Sequence, residues 1–324
     1  MKEYVKFLTV SLILVFMLAF SFSAFAGDQV VIGYSISTLN NAFFVGMTKG
    51  VENGAKKFGV KLLIVNANGD SAKQAADVED LITKKVDAII INPRDAEAIA
   101  PAVKKALAAG IPVFALDRGV TGVEVTSFLE TDNVAMGRLA ADLIAEAMKK
   151  KYGEIKGNVI ELVGLVGTTA ARDRGKGFHE GMKKYPGLKI VASQPADFNQ
   201  EKAYNVTMNL VLAHPNVDAI FGHNDDNTVG AMRALKAMGK LKKVGEKGHI
   251  YIVGIDGIKQ ALDAIRQGYI DCTISQEPVM MGEKSVEFAI KYLKGEEIPK
   301  HYYTPFTAVT KENVDKRNNW AEAK

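Results

Sequence analysis

Short runs of Val, Ile and Leu alternate along this chain with longer segments of helical period, and nearly every run ends in a side chain able to make two hydrogen bonds at once. Val30–Ile36 leads to Asn41 with Phe43 and Phe44, Ala88–Ile91 stops at Asn92, and Val113–Leu116 ends at Asp117-Arg118. Ala219–Phe221 leads to Asn224, Tyr251–Ile255 ends at Asp256, and Cys272–Ser275 ends at Gln276. Strands that read as continuous apolar runs are those buried on both faces of a parallel sheet. In such open sheets, ligands bind just beyond the carboxyl ends of the strands. A ring of carboxylate, guanidinium, amide and aromatic groups at those ends suits a polyhydroxylated molecule, which points to a sugar.

Between these runs the period lengthens. Phe44, Met47, Val51, Ala55 and Phe58 recur at three- and four-residue steps, and Gly59 follows as a stop. Lys61–Val65 reads as a strand, and Ser71-x-x-Gln74 reads as a capping box opening a helix through about Lys85. Segments 96–109, 135–150, 175–184, 201–213, 228–238 and 258–267 read as further helices, with strands over 158–163 and 188–193. Two such series predict an α/β protein of two doubly wound, Rossmann-like lobes with parallel sheets. With no long Gly/Ser linker, the lobes are expected to be joined by three short crossings near Thr131-Asp132, Gln276-Glu277 and Pro305. The first lobe is then 27–131 plus 277–305, and the second is 132–276 plus 306–324. The cleft between them can close by hinge bending.

The N-terminus reads as an export signal. Lys2 and Lys6 precede an almost wholly apolar Phe7–Phe20, and Ala24-Phe25-Ala26 supplies a small-x-small cleavage pattern, so 1–26 is expected to be removed and the mature chain to start near Gly27. The apolar run is shorter than the roughly 20 residues that span a bilayer. A soluble product in a periplasm is the expectation. The remaining length exceeds one ordinary domain and fits two.

Bulk charge narrows the functional classes. The 41 basic and 37 acidic residues are interleaved, with no basic tail or aromatic-basic cluster of the kind nucleic-acid binders show. The single Cys272 lies in an apolar run and reads as a buried, inert thiol. Neither CxxC nor HExxH spacing occurs, so no metal is implied. No Gly-x-Gly-x-x-Gly follows the first strand, and no Ser or Cys elbow accompanies the histidines, so neither a dinucleotide cofactor nor a hydrolase has support. Asn66-x-Asn68-x-Asp70 has some likeness to a calcium loop, but Asp77 stands where the bidentate Glu belongs, and a turn followed by a helix cap is the simpler reading.

Each sugar hydroxyl can donate one hydrogen bond and accept others. Asp117 and Asp256 would accept, Arg118 and Arg172 would donate, and Asn41, Asn92, Asn224 and Gln276 can do either. The rings of Phe43, Phe44 and Phe198 would cover the C–H faces of a sugar. Taken singly, these residues have plainer explanations. Asp117-Arg118 before Gly119 also fits a surface turn, Asn92-Pro93 a turn start, Asp256-Gly257 a turn, and Arg172 and Arg174 beside Asp173 and Glu180 solvated ion pairs. Their recurrence at strand ends is what favours a site.

Several denser stretches, Ser37-Thr-Leu-Asn-Asn-Ala-Phe-Phe44, Ile91-Asn-Pro93, Leu116-Asp-Arg118, Gly167-Thr-Thr-Ala-Ala-Arg-Asp-Arg174, Ala192-Ser-Gln-Pro-Ala-Asp-Phe198, His223-Asn-Asp225 and Gly254-Ile-Asp-Gly257, carry a family resemblance. Over almost the whole mature chain the sequence resembles the ribose-binding proteins of bacterial ABC importers, in the pentose and hexose branch of the type I periplasmic binding proteins. The resemblance implies hydroxyl-binding roles for Asn41, Asp117, Arg118, Arg172, Asn224, Asp256 and Gln276. It also implies an aromatic sandwich of Phe43, Phe44 and Phe198, with Asn92 in the adjoining cleft. Ala42 departs from the Pro usual before the two aromatics, and Asp226-Asn-Thr-Val229 replaces more apolar residues. The implied function is capture of a monosaccharide, D-ribose first, for delivery to a membrane ABC permease, with a chemoreceptor as a further candidate partner. A monomer without cofactor is expected. Another monosaccharide on the same fold is the alternative reading, whether an aldohexose, allulose or a furanose signal, and a sugar-modifying enzyme is a distant one. Sugar-sensing repressors share the fold but need an N-terminal DNA module, and an apolar segment stands in that place.

Overall fold

The computed structural model describes residues 29–322. The expected export signal and the expected mature start near Gly27 lie outside the described residues. Val31–Lys324 is one compact unit. Its strands are β1 (Val31–Ile36), β2 (Lys61–Asn66), β3 (Ala88–Ile91), β4 (Val113–Leu116), β5 (Ser127–Thr131), β6 (Gly157–Val163), β7 (Leu188–Pro195), β8 (Ala219–Gly222), β9 (Tyr251–Asp256), β10 (Cys272–Ser275), β11 (His301–Thr304) and β12 (Thr307–Thr310). They form two six-stranded sheets, ordered β11-β5-β4-β3-β1-β2 and β12-β10-β9-β8-β6-β7. Every pairing is parallel except that of β12, which runs antiparallel to β10.

The helices are α1 (Ala42–Phe58), α2 (Ser71–Thr83), α3 (Ala100–Ala108), α4 (Asn133–Tyr152), α5 (Thr169–Met182), α6 (Gln200–Ala213), α7 (Asp225–Ala237), α8 (Lys259–Gln267) and α9 (Pro278–Leu293), with a 3-10 turn at Trp320–Glu322. Both sheets carry the doubly wound order that reverses direction beside the first strand of the series. The switch points, β1/β3 and β6/β8, are where such sheets hold ligands. Helices cover both faces, which is why Ala88–Ile91, Val113–Leu116 and Ala219–Gly222 are buried throughout.

Periodicity does not reveal β5, β11, β12 or α9. The β11 sequence His-Tyr-Tyr-Thr lies at a sheet edge with His301 and Tyr303 exposed, so no apolar run marks it. The capping-box reading also needs correction. Asp70, not Ser71, caps α2 by accepting from Lys73 N at 2.9 Å. Gln74 is fully buried, and its amide instead donates to the Asn92 carbonyl at 2.9 Å and accepts from Arg94 N at 2.8 Å. The Asn66–Asp70 stretch is a turn and a cap: Asn66 Oδ1 accepts from Asn68 N at 2.9 Å.

Three crossings join the lobes: β5 into α4, β10 into α9, and β11 into β12. Thr131 and Thr304 meet side by side there, with hydroxyls 2.9 Å apart. Each lobe also has a helix pair in very close contact. A Cβ at Gly50 of α1 would strike the Val279 carbonyl of α9, and one at Gly282 would strike the Met47 carbonyl. In the second lobe, Gly137 of α4 faces the Arg174 carbonyl of α5, and Gly177 faces that of Val134. Backbones this near leave no room for a side chain. Gly50→Val should therefore destabilise the chain by about 1–3 kcal/mol or more, read as a lower urea midpoint at unchanged slope.

Candidate functional site

The first lobe contributes from the ends of β1, β3 and β4. Asn41 caps α1, its Oδ1 accepting from Phe43 N at 2.8 Å, which fixes the side chain and leaves its Nδ2 to reach Asp226 Oδ2 at 2.7 Å on the second lobe. Phe43 and Phe44 follow in the first turn, both buried, with rings edge to face. Asp117 and Arg118 leave β4, Asp117 with a positive φ of 64°. The Arg118 guanidinium lies 4.9 Å from the Phe44 ring centre and 5.7 Å from that of Phe198.

The second lobe supplies Phe198 beyond β7, Asn224 capping α7, and Asp256 ending β9. Asn224 Oδ1 accepts from Asn227 N at 3.0 Å, leaving its Nδ2 3.3 Å from Asp256 Oδ2. Gln276 Nε2 donates to Asp256 Oδ1 at 2.7 Å. Phe198 and Asp256, like Asp117, have positive φ, at 56° and 130°. Non-glycine residues are costly there and persist where surrounding structure enforces them, often at functional sites.

Asn41, Phe43, Phe44, Asp117, Arg118, Phe198, Asn224 and Asp256 line one interlobe cavity with Ala170 and Arg174. Arg172 does not join them. It is 63% exposed and paired with Asp173 at 2.8 Å. Arg174 takes the inward place because residues two apart on a helix point to nearly opposite sides. Thr168 caps α5, and the buried stripe then runs Ala171, Arg174, Phe178 and Met182. That three- and four-residue step in the sequence would have chosen Arg174. Asn92 is also corrected: it is fully buried behind the cavity, not in the cleft, and braces the Asp117 turn. Its Nδ2 donates to the Leu116 carbonyl at 2.9 Å, and its Oδ1 accepts from Ser37 Oγ at 2.6 Å. Gln276 likewise stands behind Asp256.

The cavity holds two acids and two bases, all about 5% exposed or less at the side chain: Asp117 with Arg118 at 3.7 Å, and Arg174 with Asp256 at 3.8 Å. Neither pair has close hydrogen-bonding geometry. Burial pushes the Asp117 carboxyl up, opposed by Arg118, Arg174 and the Asn92 amide. Burial lifts Asp256 well above the usual carboxylate range, with Arg174 opposing and Asp225, Asp226 and Asp117 adding to it. Burial draws Arg118 down to about 10. Arg118 Nε and Gln276 Oε1 have no hydrogen-bond partner in the protein. Groups so buried and so loosely paired would gain from a ligand rich in hydroxyls.

Sequence reasoning also passed over the groups that hold the site together. Asp226 accepts from Asn41, Gln200 (2.8 Å) and Asn224, and so ties the lobes directly. Gly119 N also donates across the cleft to Thr169 Oγ1 at 3.0 Å, and Ala96 N to the Gly167 carbonyl at 3.0 Å. Asp225 is fully buried and accepts from Gly257 N, Ile258 N and Thr273 Oγ1 at 2.7–3.0 Å, which fixes the turn after Asp256. Trp320 donates its indole N–H to the Asp256 carbonyl at 2.9 Å while packing on Phe43. None of these belongs to an apolar period or lies at a strand end facing the cavity.

The model of the periplasmic binding protein domain family matches residues 32–297. The chain belongs to this family. It is 40% identical over 282 residues to the ribose import binding protein of Bacillus subtilis, covering 87% of this chain and 88% of that one. It is 41% identical over 292 residues to the ribose import binding protein of Escherichia coli, covering 90% and 94%. Among solved structures, an ABC transporter periplasmic solute binding protein from Actinobacillus succinogenes with bound D-allose superposes with a TM-score of 0.81 at 34% identity, covering 89% of this chain and 100% of that one. The family is one of solute-binding proteins of ABC transporters. Among the described residues, no helix is long and apolar enough to cross a membrane.

Behind the second-lobe wall, Glu161 of β6 is nearly fully buried and accepts from His179 Nε2 at 2.8 Å, His223 Nε2 at 2.9 Å and Ser193 Oγ at 2.6 Å. Burial alone would raise its carboxyl, but those hydrogen bonds outweigh it and hold the group down at about 2. Burial keeps the His223 ring below its usual value, whereas the hydrogen bond to Glu161 raises that of His179. A carboxyl that releases its proton more readily folded than unfolded stabilises the fold fully above about 4.5 and loses that stabilisation as pH falls toward about 2. The amount is about 3 kcal/mol. Glu161→Gln should lower stability at pH 7 and flatten the fall between pH 4.5 and 2, followed by urea unfolding at a series of pH values.

Proposed function

We propose that the chain captures D-ribose between its lobes in the periplasm, without converting it, and delivers it to a membrane ABC permease. The observation that carries this reading is the cavity itself. Two carboxyl side chains and two guanidiniums line it, drawn from both lobes, and the Arg118 guanidinium lies beside the rings of both Phe44 and Phe198. Forked charged groups can serve neighbouring hydroxyls in pairs, and the bonds so formed are short and strong. A ligand shifts a hinge only by contacting both sides, and this arrangement offers such contacts. In this reading Asn41, Phe43, Phe44, Asp117, Arg118, Arg174, Phe198, Asn224 and Asp256 touch the sugar, while Asn92 and Gln276 position Asp117 and Asp256. The lobes are taken as 27–131 plus 277–305 and 132–276 plus 306–324, and the working form as a monomer. Ribose is favoured over other monosaccharides because two relatives at 40% and 41% identity carry ribose in their names. The D-allose bound in a structure at 34% identity makes an aldohexose the second reading.

Calorimetric titration with a pentose and hexose panel decides between them. Ribose should give heat at micromolar Kd or tighter, about −8 kcal/mol, and be recovered unchanged. If D-allose gives heat and ribose none, the ribose assignment fails. Asp117→Ala leaves Arg118 buried beside an empty place and should weaken binding by about 2–5 kcal/mol. Arg174→Ala should cost a similar amount, whereas Arg172→Ala, altering an exposed pair, should stay within about 1 kcal/mol of wild type. Equal losses in the two arginine variants would contradict the placement of Arg174.

A further inference from the structure

Arg174 is held by more than its neighbours in the cavity. Its Nε donates to Asn133 Oδ1 at 2.8 Å, and its NH1 donates to the His223 carbonyl at 2.7 Å. Asn133 is the first residue of α4, immediately after the crossing from the first lobe. Its Nδ2 donates in turn to Glu130 Oε2 at 2.9 Å, and Glu130 belongs to β5 on the other side of that crossing. All three side chains are buried. Because a guanidinium can only donate, Asn133 must turn its oxygen to Arg174, and its NH₂ then requires an acceptor on the far side. Glu130 is that acceptor.

We propose that Glu130 is a positioning residue for the ligand site: acting through Asn133 across the Thr131-Asp132 crossing, it makes the orientation of Arg174 depend on hinge closure. The Glu130–Asn133 bond spans the segment about which the lobes must rotate, so opening strains it and releases the Arg174 Nε contact. Closure restores both and presents the remaining guanidinium N–H groups to the cavity. The far side of Glu130 is anchored too, since Oε1 lies 2.9 Å from His301 Nε2, whose ring stacks on Phe128. Burial pushes the Glu130 carboxyl up to about 8 and draws His301 down, which suits one proton shared along that line. Oε2 accepts from Asn133 in either form. What Arg174 contacts rests on the reading of the ligand given above; how Arg174 is held does not.

The test compares Glu130→Leu, which removes the acceptor, with Glu130→Gln, which keeps an amide oxygen toward Asn133 and an N–H toward His301. In the full chain saturated with ribose, NMR of labelled arginine should show the Arg174 Nε–H exchanging at least about tenfold faster in Glu130→Leu than in wild type or Glu130→Gln. Affinity for ribose should fall about tenfold or more in Glu130→Leu and stay within about threefold in Glu130→Gln. Asn133→Ala breaks the relay from the other side and should behave like Glu130→Leu. Wild-type exchange and affinity in Glu130→Leu would overturn the proposal, as would equal losses in the Leu and Gln variants. If the wild-type chain binds D-allose and not ribose, yet Arg174 protection in the allose complex still follows Glu130, the positioning role stands and the ribose reading falls.

Discussion

Asp117, Arg118, Arg174 and Asp256 are four ionisable side chains almost removed from water, and the rest of the structure is organised around keeping them so. Leaving one such charge without its partner costs several kcal/mol, whereas a balanced set costs far less. Balance here is reached across two lobes, since Asp117 and Arg118 follow β4 of the first sheet, whereas Arg174 lies on α5 and Asp256 ends β9 in the second lobe. In this structure the four come together across the cleft. The scaffold must therefore hold each strand end rigidly while leaving the crossings free to bend.

Rigidity comes from layers behind the cavity. Gln74 holds Asn92, Asn92 holds the Asp117 turn, Asp225 holds the turn after Asp256, and Glu161 with its two histidines backs the strand leading to Asn224. Each is a buried polar group with well-formed hydrogen bonds, the condition under which such networks rigidify a site. Freedom is confined to three short crossings, where Thr131 meets Thr304 and Glu130 reaches Asn133. The close helix pairs at Gly50 with Gly282 and at Gly137 with Gly177 tie α1 to α9 and α4 to α5 within their own lobes, so bending is directed to the crossings.

Much of this was legible in the sequence because strand ends are marked twice, by the stop of an apolar run and by the polar residue that follows. Asn41, Asp117, Arg118, Asn224 and Asp256 all carried that double mark, and each lines the cavity. Arg174 lies inside a helix, where only its phase relative to Ala171 and Phe178 separates it from the exposed Arg172. Asn92 carried the strand-end mark yet lies one layer back, because the mark locates the end of a strand and not the direction of a side chain. The tie between Asn41 and Asp226, and the contact of Trp320 with Asp256, join residues about 185 and 64 positions apart. No local pattern records such pairs. β11 and β12 were missed for a related reason: edge strands bury little, so they lack the apolar run that signals a strand.

The central claim is that one monosaccharide is gripped by both lobes through these four side chains and two aromatic faces. A crystal structure of the chain grown with ribose tests it most directly. The sugar should lie between Phe44 and Phe198, with hydroxyl oxygens about 2.7–3.0 Å from Asp117, Arg118, Arg174 and Asp256. A sugar held by one lobe alone, or seated outside the cleft beside Arg172, would contradict it.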